Sequence, residues 1–546
     1  MNNLTRFGCA TLTALTALAT TQNTLAAGTW RTVTAAAPAA SGGAMLLLSD
    51  GTVMAKSTAG PQYGNAWNRL TPDRTGNYGT GTWTALASMG QTRLYFSSQV
   101  LRDGRVYVAG GEYGTGLANA EIYNPLTNTW AALPAPGANV SDANTEMLPD
   151  GRVLQALVAG TLRSNVIFNP TTNTYSAGPT CVGIHNESAW VKLADNSILM
   201  VDRHATTSER YRPSTNTWVA DANVPVALYD DFGFECGGAL LLPNGRAFFT
   251  GATGNTAIYT PGVNGANGTW AAGPVMPLGS GTPDAPMAML PNGKILCLAS
   301  AIPTSANHFP SPTLCFEYDY LTNTFQQIFG PTGLTYNSSS FVWTFLNLPT
   351  GQILAALQGS STYWIYTPDG TPLAAGKPTV SGVTRATDGS YTLTGTLFNG
   401  ISAGSTYGDD WQMNTNYPIV RLAATNGTGN VYYTRTFNWN LTGVQTGSTV
   451  TTTQMTIPAK VPYGTYSLFV TANGIASDAR GFWYPKPTCP SDIDFDGAVT
   501  GSDLAMLLTG WGTTGGVGGL GDIDGDGTLG GGDLSIMLNA WGVCPP

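Results

Sequence analysis

The stretch Leu101–Trp130 reads LRDGRVYVAGGEYGTGLANAEIYNPLTNTW, and most of the chain is a set of variations on it. Its apolar lead-in stops at Asp103-Gly104, a pair suited to a tight hairpin, and resumes as the alternating Arg105-Val106-Tyr107-Val108. Gly110-Gly111 follows, then a third run, Ala120 to Tyr123, which carries Glu121. The turn Asn124-Pro125-Leu126-Thr127-Asn128 leads into Thr129-Trp130. Such a segment makes a small antiparallel sheet that cannot bury its faces alone, a problem that repetition solves.

The hairpin pair recurs at Asp50-Gly51, Asp103-Gly104, Asp150-Gly151, Asp195-Asn196, Asn244-Gly245, Asn292-Gly293 and Thr350-Gly351, with successive turns 45 to 58 residues apart. Asn196 in place of Gly fits a turn that needs positive φ. Closing aromatics stand at Trp83, Trp130, Tyr175, Trp218, Trp270 and Phe325. Aromatic-x-Pro turns stand at Tyr123, Phe168, Tyr211, Tyr259 and Tyr366. A period of about 50 with paired glycines and a spaced aromatic is the kelch pattern. Seven turns predict seven four-stranded blades over residues 28–375, closed without an exposed edge.

Only 10% of the 546 residues are charged, against 68 Gly and 34 Pro, a composition that suits an all-β protein with tight turns. The net charge of −9 gives no basic surface for nucleic acid. Residues 1–27 read as a secretory signal, with Arg6 before the apolar run Phe7 to Ala19 and small residues before Gly28. Nothing after it approaches the length of a membrane span, so a secreted, extracellular protein is expected. Six cysteines remain and allow fifteen pairings; Cys297–Cys315, Cys489–Cys544 and Cys181–Cys236 are favoured because each pair falls within one module or in neighbouring blades.

Gly376-Lys377-Pro378 opens a new pattern. Short strand-like runs at 391–397, 419–423, 431–437, 454–457 and 466–471 predict an immunoglobulin-like sandwich over 376–487, ending at Pro485-Lys486-Pro487. The run Tyr407-Gly408-Asp409-Asp410-Trp411-Gln412-Met413-Asn414-Thr415-Asn416-Tyr417-Pro418, with Val420-Arg421-Leu422, Tyr433-Thr434-Arg435-Thr436 and Val470-Thr471-Ala472-Asn473-Gly474-Ile475, resembles the C-terminal early-set domain of galactose oxidase and glyoxal oxidase. The resemblance implies a seven-bladed kelch propeller joined to such a sandwich, and a copper-radical site with two His ligands, one following an axial Tyr, and a second Tyr cross-linked to Cys. That ligand set is not matched here. His185, His204 and His308 follow Ile184, Arg203 and Asn307, no His occurs in 376–487, and Asp409-Asp410-Trp411-Gln412 stands at the corresponding loop. Copper is therefore not expected as a cofactor.

Asp142, Glu187, Glu235 and Asp284 recur nine or ten positions before the second residue of a hairpin turn, so they converge on one axis if the blades close. With His185 and Arg93 nearby they are the candidate ligand-binding residues, suited to a cation or to sugar hydroxyls, and two carboxylates of the set would serve glycoside hydrolysis.

Asp492-Ile493-Asp494-Phe495-Asp496-Gly497-Ala498, with Asp503 at position 12, matches an EF-hand loop, and Asp522, Asp524, Asp526, Gly527, Thr528 and Asp533 match it again 30 residues on. Ala498 and Thr528 would offer backbone carbonyls. Two calcium sites follow, each loop leading into a helix marked by Leu504, Leu507, Leu508, Trp511 or Leu534, Met537, Leu538, Trp541. Residues 488–546 resemble a type I dockerin stapled by Cys489 and Cys544, which implies a cohesin-like or cell-surface partner and a setting of polysaccharide breakdown. Gly501-Ser502 and Gly531-Gly532 stand where that family commonly carries Ser-Thr or similar. The expected protein is mainly β with a small α-helical tail: secreted, calcium-binding and carbohydrate-binding or surface-interacting. The alternative is a carbohydrate-active enzyme, either a hydrolase using the channel carboxylates or a diverged oxidase.

Overall fold

The computed structural model describes residues 28–58, 63–158, 164–263, 265–386, 388–407, 411–486, 488–513 and 520–545. The proposed signal, 1–27, and the tip Asp409-Asp410 lie outside these. The quoted stretch forms three strands, Val106–Ala109, Ala120–Asn124 and Thr129–Ala132, which with Ser97–Val100 make a four-stranded antiparallel sheet. Five more four-stranded sheets repeat it, and a further four strands, Pro286–Met289, Ile295–Ala301, Thr313–Asp319 and Thr324–Ile328, repeat it within an eight-stranded sheet. The first part of the chain is thus a propeller of antiparallel blades, with two helices elsewhere among the described residues.

Each expected turn residue has positive φ: Gly51, Gly104, Gly151, Asn196, Gly245, Gly293 and Gly351, between 65° and 89°. Five of the six closing aromatics lie directly across a strand pair from another aromatic ring, and the sixth, Trp83, lies across from Leu70. The ring centroids of Tyr123–Trp130, Phe168–Tyr175, Tyr211–Trp218, Tyr259–Trp270 and Tyr318–Phe325 lie 5.1, 5.2, 5.5, 5.0 and 5.1 Å apart. The blade of Trp343–Asn347, Ile353–Leu357 and Tyr363–Thr367 takes its fourth strand from the other end of the chain, Thr29–Thr32. Trp30 pairs with Tyr366 there, centroids 5.0 Å apart. The Thr29-Trp30 dipeptide repeats Thr129-Trp130, so this closing strand carried its own signal in the sequence.

Residues 379–484 form an eight-stranded antiparallel sheet whose core gathers Val383, Leu393, Leu422, Leu468 and Phe482. Strand Val431–Phe437 pairs through Val431–Thr434 with Ile419–Ala424 and through Arg435–Phe437 with Val450–Thr456, so it passes from one group of strands to the other. This sheet covers the turn side of the blades. A side chain at Gly51 would meet Tyr433 Cδ1 at 2.4 Å, Arg435 donates to the Asp103 carbonyl, and Gln445 Nε2 donates to the Leu242 carbonyl at 2.7 Å. A hairpin, Gly404–Tyr407 and Trp411–Asn414, leaves this domain and pairs with Pro286–Met289. It also reaches other blades: Ser405 Oγ donates to Asn347 Oδ1 at 2.6 Å, and Asn414 Nδ2 to Gln99 Oε1 and Glu146 Oε1 at 3.5 Å. It therefore runs among the innermost strands, with Tyr407 opposite Pro286.

The tail contains helices α1, Gly501–Thr509, and α2, Gly531–Asn539. Leu507 and Met537 are buried with Ile493, Val499, Ile523, Cys489 and Cys544, and Trp483 of the preceding sheet joins this core. A boundary at 488 thus leaves out one of the tail's own core side chains. Leu508, Trp511, Leu538 and Trp541 point outward, since only part of each apolar stripe reaches so small a core.

The Cys489–Cys544 disulfide is present. The other favoured pairings are corrected. Cys297 lies opposite Phe316 and Cys315 opposite Leu298, so the two thiols point to opposite faces of their paired strands and into different cores. Cys181 and Cys236 are held as buried thiols rather than as a disulfide, Cys181 accepting from Asn165 Nδ2 at 3.3 Å.

Candidate functional site

Opposite the turns lies a cavity of about 590 Å³ lined by Asp142, Glu187, Glu235 and Asp284, together with Glu112, Gln358, Leu94, Val342 and five rings. Register explains the convergence. Nine residues before the turn glycine or asparagine stand Tyr95, Asp142, Glu187, Asp284 and Val342, each at the start of an inner strand. A bulge between Cys236 and Ala239 adds one residue, which puts Glu235 at ten. Neighbouring positions are tied by the backbone: Glu187 N donates to the Asp142 carbonyl at 2.9 Å, and Asp284 N to the Cys236 carbonyl at 2.8 Å.

Tyr95, Asp142, Glu187 and Asp284 hold φ of 51°, 43°, 51° and 47°. Left-handed backbone costs a residue with a Cβ of order 1–3 kcal/mol, and such strain gathers at functional sites. The rings are Tyr63, Tyr95, Tyr113, Phe309 and Phe341. Phe309 and Phe341 meet at 4.4 Å, Tyr95 and Tyr113 at 6.2 Å, and Gln358 Nε2 donates to the Tyr95 hydroxyl at 3.3 Å. Tyr63 and Tyr113 stand at the rim, 40% and 48% exposed. Among the described residues, the lining contains no Lys, Arg or His. Arg203, behind the wall, pairs with Glu187 and donates to the Gly233 carbonyl at 2.6 Å. Burial, with Glu112 and Asp142 beside it, raises the Tyr113 phenol above its ordinary value.

Arg93 and His185 do not line this cavity. They share one structural role, each eleven residues before its turn and separated from the mouth by the left-handed residue that follows. Arg93 is buried and pairs at 2.9 Å with Glu121, whose oxygens also accept the Gly90 and Gln91 amides. His185 Nε2 lies 2.8 Å from Glu209, whose oxygens accept the Val182 and Gly183 amides. Burial works to raise the Glu209 carboxyl, but the His185 ring and those amides hold it below its ordinary value. In both blades a carboxylate from the third strand pins the loop entering the blade. Arg93→Ala is expected to cost roughly 3–5 kcal/mol in urea unfolding, because it leaves Glu121 buried without its counter-charge. A loss under about 1 kcal/mol would show that the pair does not hold the loop. His204 packs on Phe234 and His308 on Phe232.

The second candidate is the pair of aspartate loops. Asp503 Oδ1 accepts the Ile493 and Asp494 amides at 2.6 and 3.1 Å, and Oδ2 accepts the Thr500 amide at 2.7 Å, so the last loop residue also caps α1. Asp533 repeats this toward Ile523, Asp524 and Gly530. Carboxylate oxygens of Asp492, Asp494 and Asp503 lie within 4.8 Å of one another, as do those of Asp522, Asp524 and Asp533. Asp492 Oδ1 is buried with no hydrogen-bond partner, and a hard cation suits such an oxygen. Burial, with Asp533 and Asp524 alongside, pushes the Asp522 carboxyl up to about 6 against the Gly527 and Gly525 amides. Asp496 and Asp526 sit at the exposed side and accept the amides of Ala498 and Thr528. The donor set fits calcium.

This arrangement of blades defines a β-propeller protein. A kelch motif model matches residues 100–137, which covers the whole of the stretch quoted at the outset. An F-box/kelch-repeat protein of Arabidopsis thaliana is 32% identical over 99 residues, 17% of this chain and 26% of that protein, so the chain spans about a quarter of the length of this curated relative. Among solved structures, a fungal alcohol oxidase of the AA5 family in complex with copper superposes with a TM-score of 0.51 at 16% identity, covering 84% of this chain and 99% of that one. A streptogramin B lyase gives a TM-score of 0.43 at 11% identity, covering 63% and 98%. The chain thus carries a kelch motif at residues 100–137, and its fold is similar to that of the alcohol oxidase.

Proposed function

We propose that this chain is a secreted carbohydrate-binding protein whose recognition site is the channel mouth, working where polysaccharide is broken down. The observation that carries the reading is the mouth itself: five rings, two of them exposed at the rim, interleaved with five carboxylates and one amide around a sugar-sized cavity. Rings stack on the apolar faces of sugars while carboxylates accept from hydroxyls. In this reading the blades are seven in number, residues 376–487 are an immunoglobulin-like early-set domain, and residues 488–546 are a dockerin-like module that binds two calcium ions. Asp492, Asp494, Asp496, Asp503 and the Ala498 carbonyl would hold one ion; Asp522, Asp524, Asp526, Asp533 and the Thr528 carbonyl would hold the other. The outward Leu508, Trp511, Leu538 and Trp541 offer an apolar surface to a cohesin-like or cell-surface partner.

A glycan array probed with the full chain, followed by calorimetry on the best binder, tests the reading. Tyr113→Ala is expected to weaken binding by about tenfold and leave the melting temperature unchanged. An array without binders, or a Tyr113→Ala protein that binds as tightly as the parent, would refute it.

Strained backbone at three of the mouth carboxylates favours a second reading, hydrolysis of a glycosidic bond by two of them. Reducing sugar released on incubation with the array's best binder is its signature. Copper-radical oxidation is not proposed, because no Tyr-His pair exists in the chain and residues 376–487 contain no His.

A further inference from the structure

We propose that a second site, on the turn side of the propeller, binds an acidic sugar, one whose ring carries a carboxylate, through Arg69, Arg74 and Lys460. It stands apart from the channel mouth and does not rest on the reading above. A cavity of about 520 Å³ lies there, between strand Trp67–Thr71 with its following turn and the sheet of residues 379–484. The connections around it, 48–52, 72–81, 425–430 and 457–463, all fall among the described residues.

The argument begins with the repeat. Leu70 lies opposite Trp83 as Tyr211 lies opposite Trp218, so Arg69 and Arg210 hold the same place in two blades. Arg210 pairs with Asp221 at 3.3 Å and with the turn residue Asp195 at 3.7 Å. Leu86 takes the place of Asp221 in the first blade: Leu86 N donates to the Trp67 carbonyl as Asp221 N does to the Ser208 carbonyl. Arg69 forms no ion pair among the described residues, and its Nε and Nη2 are buried without a hydrogen-bond partner. The Tyr123 hydroxyl of the next blade lies beside it, a neutral group. The repeat has kept the cation here and lost its nearest counter-charge, which is costly for a buried group. An anion in the adjoining cavity restores that counter-charge.

The lining supplies the contacts. Lys460 is exposed and forms no ion pair among the described residues. Arg74 is exposed too; its Nη1 donates to the Thr428 carbonyl at 3.0 Å and Asn430 Oδ1 at 3.3 Å, leaving its other nitrogens to a ligand. Two carboxylates share the lining, so three bases against two acids leave a surplus of one positive charge in a chain of net charge −9. Asp73 is spent on its own turn: Oδ1 accepts the Thr75 amide and hydroxyl and the Asn77 amide, and Oδ2 the Thr80 hydroxyl. Asp50 is engaged with Thr52 through Oδ1 alone. A guanidinium fork matches a planar carboxylate. Asp50 Oδ2 and the Thr71 hydroxyl suit sugar hydroxyls, while Pro72, Pro458 and the half-buried Tyr432 give the ring an apolar wall. An inorganic anion would use none of that surface. The volume falls in the range of small-molecule sites, roughly 300–1,000 Å³.

The test is calorimetry of the full chain against two α-1,4-linked trimers that differ only in the carboxylate, galacturonate and galactose. The acidic trimer is expected to bind at least about tenfold tighter than the neutral one. Its affinity should fall at least about fivefold between 50 and 300 mM NaCl, while the neutral trimer changes little. Arg69→Gln should weaken it about tenfold, and so should Leu86→Asp, which supplies the counter-charge that Asp221 gives Arg210. Lys460→Gln alters an exposed side chain and should weaken it at least about threefold, so it decides the matter if the other two variants do not fold. Equal affinities for the two trimers, or a Lys460→Gln protein that binds the acidic one as tightly as the parent, would overturn the inference. Tyr113→Ala should leave this affinity where it was; a loss there would move the ligand to the channel mouth, which overturns this site and leaves the carbohydrate reading standing. Sodium sulfate binding as tightly as the acidic trimer would overturn the saccharide half of the claim.

Discussion

A Lys56→Met variant is expected to unfold at higher urea than the parent protein, by roughly 3–5 kcal/mol at pH 6. Lys56 lies in strand Val53–Ser57, fully buried, and its ammonium has no hydrogen-bond partner. It fits because the bulge between Ser41 and Met45 carries Gly42, where a side chain would come within 2.8 Å of Nζ. Burial lowers the amine to about 7 from 10.5. Below pH 7 both states hold the proton, and the folded protein bears the full cost of a buried charge. Between 7 and 10.5 the unfolded chain binds a proton that the folded protein does not, so this residue's destabilising effect fades as pH rises. Methionine keeps the reach of the side chain without the charge. The gain should shrink below about 1 kcal/mol by pH 10, and a gain that stays flat with pH would show that the charge is not its source.

Chelation is expected to loosen the tail of the intact protein. Amides of 492–503 and 522–533 should exchange hydrogen about 100-fold faster in EDTA, the effect of removing an ion held at a hundred times its dissociation constant. Asp492→Ala should release the first loop, Asp522→Ala the second, and the two together both helices. The Cys489–Cys544 bridge and the short ladder between Ala498–Val499 and Gly542–Val543 keep the chain ends together but leave the aspartates repelling one another. Exchange rates indifferent to EDTA would show that the calcium reading is wrong.

The two sites were legible to different degrees, and the reasons are physical. Asp142, Glu187, Glu235 and Asp284 were readable because a hairpin turn sets the register of its strand, and a fixed count back from the turn reaches the same end of every blade. Tyr95 obeys the same count but carries no charge to mark it as one of the set. Tyr63, Tyr113, Phe309 and Phe341 lie in connections whose lengths differ between blades, so no period reveals them. Arg93 and His185 were misread as ligands because nearness in sequence ignores the left-handed residue that intervenes. The Cys297–Cys315 pairing failed on parity: adjacent strands were right, but register put the thiols on opposite faces. The aspartate loops needed no long-range information, since each loop's geometry is written within twelve residues.

The join between Thr29–Thr32 and Tyr363–Thr367 has a consequence for the order of synthesis. Gly28 N donates to the Tyr366 hydroxyl across 338 residues, and a side chain at Gly28 would meet the Thr367 carbonyl at 2.2 Å. At about 5–20 residues per second the first strand made waits roughly 17 to 70 s for its partner to leave the ribosome. Until then both ends of the ring are open edges, free to pair with another nascent chain. A chain interrupted before Tyr363 never closes and keeps those edges for its lifetime. The early blades should therefore tolerate handling by chaperones better than premature release, and production of this protein should fail first by aggregation of shortened chains.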